Sequence, residues 1–86
     1  MRWPPWWEWE LELTPHIIKR MEDRGLTEVQ LRAILERATS FAPNQVEGRF
    51  IIQGTHNRRP WHVIVEPDED ERVLIAVTCY AADDTA

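Results

Sequence analysis

Two helix-start signals with one glycine between them confine the middle of this chain to a pair of short helices. Thr14-Pro15 sets a residue whose side chain accepts backbone N–H groups ahead of a proline suited to the first helical turn. Gly25 fits the left-handed position just past the end of a helix closing at about Arg24. Thr27, with Gln30 three residues on, completes a capping box for a second helix. Leu31, Ile34, Leu35 and Ala38 make that helix's buried stripe, and the segment Thr39 to Asn44, with Pro43, ends it.

The flanking segments read as strands. Trp7 to Leu13 alternates aromatic or aliphatic residues with Glu8, Glu10 and Glu12, the pattern of a half-buried strand. Three strands are expected after the helices: Val46 to Gln53 with Gly48 as a candidate bulge, Trp61 to Glu66, and Arg72 to Tyr80. Gly54 to Arg59 and Pro67 to Glu71 are the polar turns between them. On the last strand, period two puts Thr78 and Tyr80 on one side and Val73, Ile75, Val77 and Cys79 on the other. The order β-α-α-β-β-β predicts a two-layer α+β fold, an antiparallel meander packed against two N-terminal helices. Residues 1–86 form one domain, with 1–5 irregular because of Pro4 and Pro5 and 81–86 a frayed tail.

A chain of 86 residues buries a modest fraction of its surface, so its five tryptophans carry unusual weight. Trp3, Trp6, Trp7 and Trp9 crowd the start, where they either cover the core or offer a partner surface, including one for a homodimer. The net charge of −5 argues against broad, nonspecific attraction to nucleic acid, but leaves room for a local basic site. Cys79 is the only cysteine, which excludes an internal disulfide and a thiolate metal cluster. No run is long and apolar enough for a membrane span and no secretory signal is evident, so a cytoplasmic location is expected.

The chemistry-bearing residues cluster in three places. His16, Arg20 and Arg24 fall four residues apart, a single stripe beside Ile17 and Met21. An imidazole between fixed cations suits phosphate chemistry: the ring accepts and returns a proton, and the guanidinium groups hold an oxyanion. The same stripe also serves as a solvated helix face whose cations complement the C-terminal dipole. Thr78 and Tyr80 offer a hydroxyl pair, and His62 shares their face if Glu66 pairs with Arg72 across the turn; a one-residue slip would put it on the other face. Arg58 and Arg59, with His56 in the same polar turn, and Arg49 are further candidates for a nucleic-acid backbone. The histidines are too scattered for zinc, and no phosphate-binding glycine loop or nucleophile elbow is present.

The run His16-x-x-x-Arg20-Met21-x-x-Arg24-Gly25, followed by Leu26-Thr27 and closed by Val77-Thr78-Cys79-Tyr80, resembles the signature of a small bacterial family catalogued as a domain of unknown function. That family looks like a branch of the barnase, EndoU, colicin and RelE-like ribonuclease superfold. The resemblance implies a RelE-like arrangement and a metal-independent endoribonuclease, a toxin of a toxin–antitoxin system with RNA as substrate and an antitoxin as partner. It implies a site of His16, Arg20, Arg24, Thr78 and Tyr80, with no cofactor and no metal. Cleavage would proceed by attack of the ribose 2′-hydroxyl on the adjacent phosphorus, which makes DNA a non-substrate. The alternative is a binding or oligomerisation module, a degenerate family member using its tryptophan-rich acidic N-terminal strand.

Overall fold

The computed structural model describes residues 3–82. After a turn of 3-10 helix at Pro5–Glu8 the elements are β1 (Glu10–Leu13), α1 (Pro15–Arg24), α2 (Glu28–Glu36), β2 (Ser40–Pro43), β3 (Phe50–His56), β4 (Arg59–Asp68) and β5 (Val73–Ala81). They form an α+β fold with one five-stranded mixed sheet in the order β1-β5-β4-β3-β2. The run β2 to β5 is an antiparallel meander, and β1 pairs parallel with β5, Leu11 beside Leu74 and Leu13 beside Ala76.

Both helices start and stop where their caps dictate. The Thr14 side chain accepts the Ile17 N–H, and Gly25 closes α1 at φ 68°. Thr27 and Gln30 form both halves of the capping box on α2. Ile17 and Met21 of α1 and Leu31, Ile34 and Leu35 of α2 are buried against the sheet, and Ala38 is half-buried at the margin. The sheet answers with Ile52, Trp61, Val63, Val65, Leu74, Ala76, Cys79 and Ala81, which share the helix-covered face by register. α2 crosses β3 so closely that a Cβ on Gly54 would sit 2.6 Å from the Ile34 carbonyl oxygen, so only glycine fits there.

Several expectations are corrected. The segment Val46 to Gln53 is not one strand. Pro43 closes a short strand β2, a turn follows with Gly48 at φ 85°, and β3 starts at Phe50. Gly48 is therefore a turn residue and not a bulge. The polar turn expected over Gly54 to Arg59 shrinks to Asn57-Arg58, both at positive φ (52° and 64°), as a two-residue hairpin requires. Pro67 and Asp68 remain in β4, and Arg72 turns at φ 53° before β5. The start of the first expected strand coils into the 3-10 turn, because Pro4 and Pro5 pre-set helical φ and offer no ladder donors; only Glu10–Leu13 is extended. At the other end Ala81 is buried in β5 rather than frayed, and residues 83–86 lie outside the described ones.

The most consequential correction lies on β5. Ile64 pairs with Thr78 but Val65 pairs with Ala76, so Val77 is an extra residue, a β-bulge. The bulge inverts the side-chain parity along the strand. Cys79 therefore shares the helix-covered face with Leu74 and Ala76, while Val73 and Ile75 join Thr78 and Tyr80 on the opposite face.

The early tryptophans lie on the core side of the sheet. Trp3 stacks on Trp7 with centroids 4.3 Å apart, and Trp6 packs on Phe50 at 5.0 Å and on Phe41 at 6.0 Å. This aromatic cluster covers the part of the helix-side face near Phe41 and Phe50.

Candidate functional site

Helices and tryptophans cover one face of the sheet, and the opposite face carries the polar side chains. By register, Ser40, Gln53, His62 and Tyr80 form one transverse row there, one residue from each of β2, β3, β4 and β5. The row is bonded end to end. The Ser40 hydroxyl donates to Gln53 Oε1 at 2.7 Å. Gln53 Nε2 lies 3.4 Å from His62 Nε2, and His62 Nδ1 lies 3.4 Å from the Tyr80 hydroxyl. The rings of His62 and Tyr80 meet edge to face at 5.4 Å.

Donor inventory gives this row a direction. An amide nitrogen only donates, so the tautomer that satisfies both contacts has His62 Nε2 as the acceptor and the ring proton on Nδ1. Nδ1–H then donates to the Tyr80 oxygen, and the phenolic hydrogen is left to point away from the row. Every link thus runs from Ser40 toward Tyr80, whose O–H is the outlet. His62 reaches this face although Glu66 pairs with Ile75 rather than Arg72; the His62–Tyr80 register on the far side of the bulge fixes it.

The α1 residues approach the same strand from its free edge. β1 pairs with β5 only as far as Ala76, so among the described residues Val77 to Ala81 have no strand neighbour on that side. Thr14 occupies the place where pairing stops: its N–H donates to the Ala76 carbonyl at 3.3 Å and its hydroxyl to the Val77 carbonyl at 2.9 Å. α1 therefore begins on the bulge. Burial pushes the Cys79 thiol up from its ordinary 9.0, and Arg20 and then Arg24 pull it back. Both guanidinium groups thus act on a side chain of the helix-covered face, opposite the face of Thr78 and Tyr80. His16 is exposed in the first turn of α1, two residues after the Thr14 anchor.

The remaining candidates are dispersed. Arg49 binds Glu66 through Nε at 2.9 Å and is engaged in that ion pair. Arg58 sits at the β3–β4 hairpin tip with Arg59 beside it, at the end of the sheet toward which the polar row lies. Thr78 is half-buried opposite Ile64, in the row next to Tyr80. Ser40 and Gln53 escape sequence reasoning altogether. Nothing distinguishes Gln53 from any polar strand residue until the register is known, and Ser40 lies on a strand the sequence does not announce.

Among the described residues, no group of three or more His, Cys, Asp or Glu side chains gathers around a common point as metal ligands would. No helix among the described residues is long and apolar enough to cross a membrane.

The fold and this face define a small α+β domain with a one-sided polar sheet surface. The chain matches the family model described as a domain of unknown function, DUF4258, over residues 13–79, and it belongs to that family. No curated protein and no solved structure matches it.

Proposed function

We propose that the uncovered sheet face and the adjoining end of α1 form a ribonuclease site of the RelE-like kind, acting on RNA as the toxin of a toxin–antitoxin pair. The observation that carries this reading is the directed row from Ser40 to Tyr80. An imidazole N–H facing a phenol oxygen can stabilise the negative charge that develops there as the phenol passes its proton to a leaving group. The two 3.4 Å links are long, as catalytic hydrogen bonds are before a substrate closes on them.

In the proposed reaction His16 takes the proton of a ribose 2′-hydroxyl. The 2′-oxygen forms a bond to the adjacent phosphorus, and the bond from phosphorus to the 5′-oxygen breaks. Tyr80 delivers its proton to that departing oxygen, leaving a phenolate held by His62 Nδ1–H. Arg20 and Arg24 stabilise the extra negative charge on the phosphorane. Solvent then carries the proton from the His16 imidazolium back to Tyr80, and the products are a 2′,3′-cyclic phosphate and a free 5′-hydroxyl. The anchoring of Thr14 on the bulge, which sets α1 at the free edge of β5, supports a common site for helix and strand.

The test is cleavage of labelled RNA by purified protein in excess EDTA. Wild type is expected to cut RNA and to spare the same oligonucleotide with a 2′-deoxyribose at the cleaved position. His16→Ala and Tyr80→Phe are each expected to be slower by about 10²–10⁴-fold, the usual reach of general acid–base catalysis. Wild type no faster than the His16→Ala/Tyr80→Phe double variant would remove the nuclease reading.

A further inference from the structure

The proposed reaction uses His62 and Tyr80 but gives no task to Gln53, which stands in the middle of the polar row. Gln53 Oε1 accepts from Ser40 at 2.7 Å, and its Nε2 lies 3.4 Å from His62 Nε2. The residue is exposed, so packing does not call for a glutamine there. A neutral imidazole carries its one proton on either of two nitrogens, and the hydrogen bond made at one nitrogen fixes the state of the other. His62 meets a different partner at each: Gln53 at Nε2 and the Tyr80 hydroxyl at Nδ1.

We propose that Gln53 is a positioning residue that decides, through His62, whether Tyr80 has a proton to give. With the amide N–H against Nε2, that nitrogen is the acceptor and the imidazole proton is held on Nδ1. Nδ1–H then faces the Tyr80 oxygen, and the phenolic hydrogen stays free for a leaving group. Reversing the group that faces Nε2 reverses the row. An acceptor there draws the ring proton to Nε2 and leaves Nδ1 bare, and a bare Nδ1 takes the phenolic hydrogen into the row. Tyr80 then offers no proton outward. An imidazole in the wrong tautomer loses catalysis even where every heavy atom keeps its place. Ser40 suits both directions, because a hydroxyl donates or accepts; it steadies residue 53 without choosing for it. The link from Gln53 to turnover rests on the nuclease reading, whereas the link from Gln53 to the His62 tautomer does not.

The probe is the His62 ring itself, read by nitrogen NMR in the isotope-labelled full chain without RNA, at mildly alkaline pH where an imidazole is neutral. In wild type the Nδ1–H form is expected to predominate, against the Nε2–H form that histidine favours in water. His16, exposed on α1, supplies the reference for the form in water within the same spectrum. Gln53→Glu presents only acceptor oxygens to Nε2 and should turn His62 to the Nε2–H form. Gln53→Leu removes the amide and should return His62 to the preference of His16. Both changes fall at an exposed strand position, and backbone amide shifts unchanged outside the row show that the fold is kept. Wild-type His62 in the Nε2–H form would overturn the proposal, as would an Nδ1–H form that survives both substitutions. In RNA cleavage Gln53→Leu should lower kcat and leave KM unchanged, because residue 53 acts on the proton and not on binding. A wild-type chain that cuts no RNA removes the nuclease reading and leaves the tautomer result to decide for Gln53. Cleavage with kcat unchanged in Gln53→Leu, once its tautomer has turned, overturns the role of Gln53 and leaves the nuclease reading standing.

Discussion

The Thr14 hydroxyl serves two backbones at once: it accepts the Ile17 N–H at 3.1 Å and donates to the carbonyl of Val77, the extra residue of the β5 bulge, at 2.9 Å. A cap that is also a tertiary tie should be more sensitive than an ordinary one. Thr14→Val, which keeps the shape and removes the hydroxyl, is expected to lower stability in urea by about 1–2 kcal/mol, the upper part of the range for lost caps. Thr14→Ser should recover most of that loss. A Thr14→Val midpoint equal to wild type would show that the tie carries no weight.

Tyr80→Phe separates folding from chemistry. The Tyr80 hydroxyl lies on the uncovered face and makes one long hydrogen bond, so its removal should change stability by no more than about 1 kcal/mol. The same change should abolish most RNA cleavage if Tyr80 is the acid. Ser40→Ala, at the far end of the row, should leave stability nearly unchanged and reduce cleavage by less than Tyr80→Phe does. Thermal melts alongside cleavage rates give both answers.

Gly54→Ala should be destabilising although it adds one methyl group to a strand. The new Cβ meets Ile34 backbone and side-chain atoms at 2.6 and 2.8 Å, so α2 must move off β3. Overpacking of this kind costs about 1–3 kcal/mol. A chemical-denaturation midpoint at or above wild type would contradict the close crossing.

Arg58 holds a left-handed conformation that glycine adopts freely, φ 64° at a hairpin tip. Arg58→Gly is therefore expected to raise stability by about 1 kcal/mol. If the hairpin tip meets RNA, the same variant should bind RNA more weakly, and the slope of log affinity against log salt should fall by about one. Gain in stability without loss in RNA binding would leave Arg58 outside the interface.

Cys79 reports on the two arginines. Burial raises its thiol above 9.0, with Arg20 and then Arg24 opposing the rise. The thiol therefore ionises later in the folded chain than in the unfolded one. Above pH 9 the unfolded state binds fewer protons, so this group's contribution to stability is complete below the unfolded value and fades as pH climbs through the folded one. The pH midpoint for alkylation of the native thiol should lie above 9, and Arg20→Ala or Arg24→Ala should move it higher still. Midpoints unchanged in both variants would place the guanidinium groups away from β5.

The helices were legible because their signals are local. Thr14, Gly25, Thr27 and Gln30 each act on backbone within one turn, and they set α1 and α2 close to their observed limits. Two of the sheet's three hairpins, β3–β4 and β4–β5, were legible, but its register was less so. Period two along the last strand sets Cys79 opposite Thr78 and Tyr80, as observed, but assigns Val73 and Ile75 to the wrong face, because a bulge is a property of two strands, visible in neither one alone. β2 was missed because Ser40–Pro43 is short, ends in proline and gains its hydrogen bonds from β3. The same limit hid Ser40 and Gln53. His62 and Tyr80 were singled out from the sequence, but the link between them depends on pairing across the β4–β5 hairpin.

In the order β1-β5-β4-β3-β2, the earliest strand finds its one sheet neighbour in the latest. A ribosome releasing this chain from its N-terminus exposes Leu11 and Leu13 long before Leu74 and Ala76 exist to cover them. The domain cannot close its sheet until Val73 to Ala81 has left the exit tunnel. An interruption anywhere before β5 therefore leaves a fragment with its first strand unpaired.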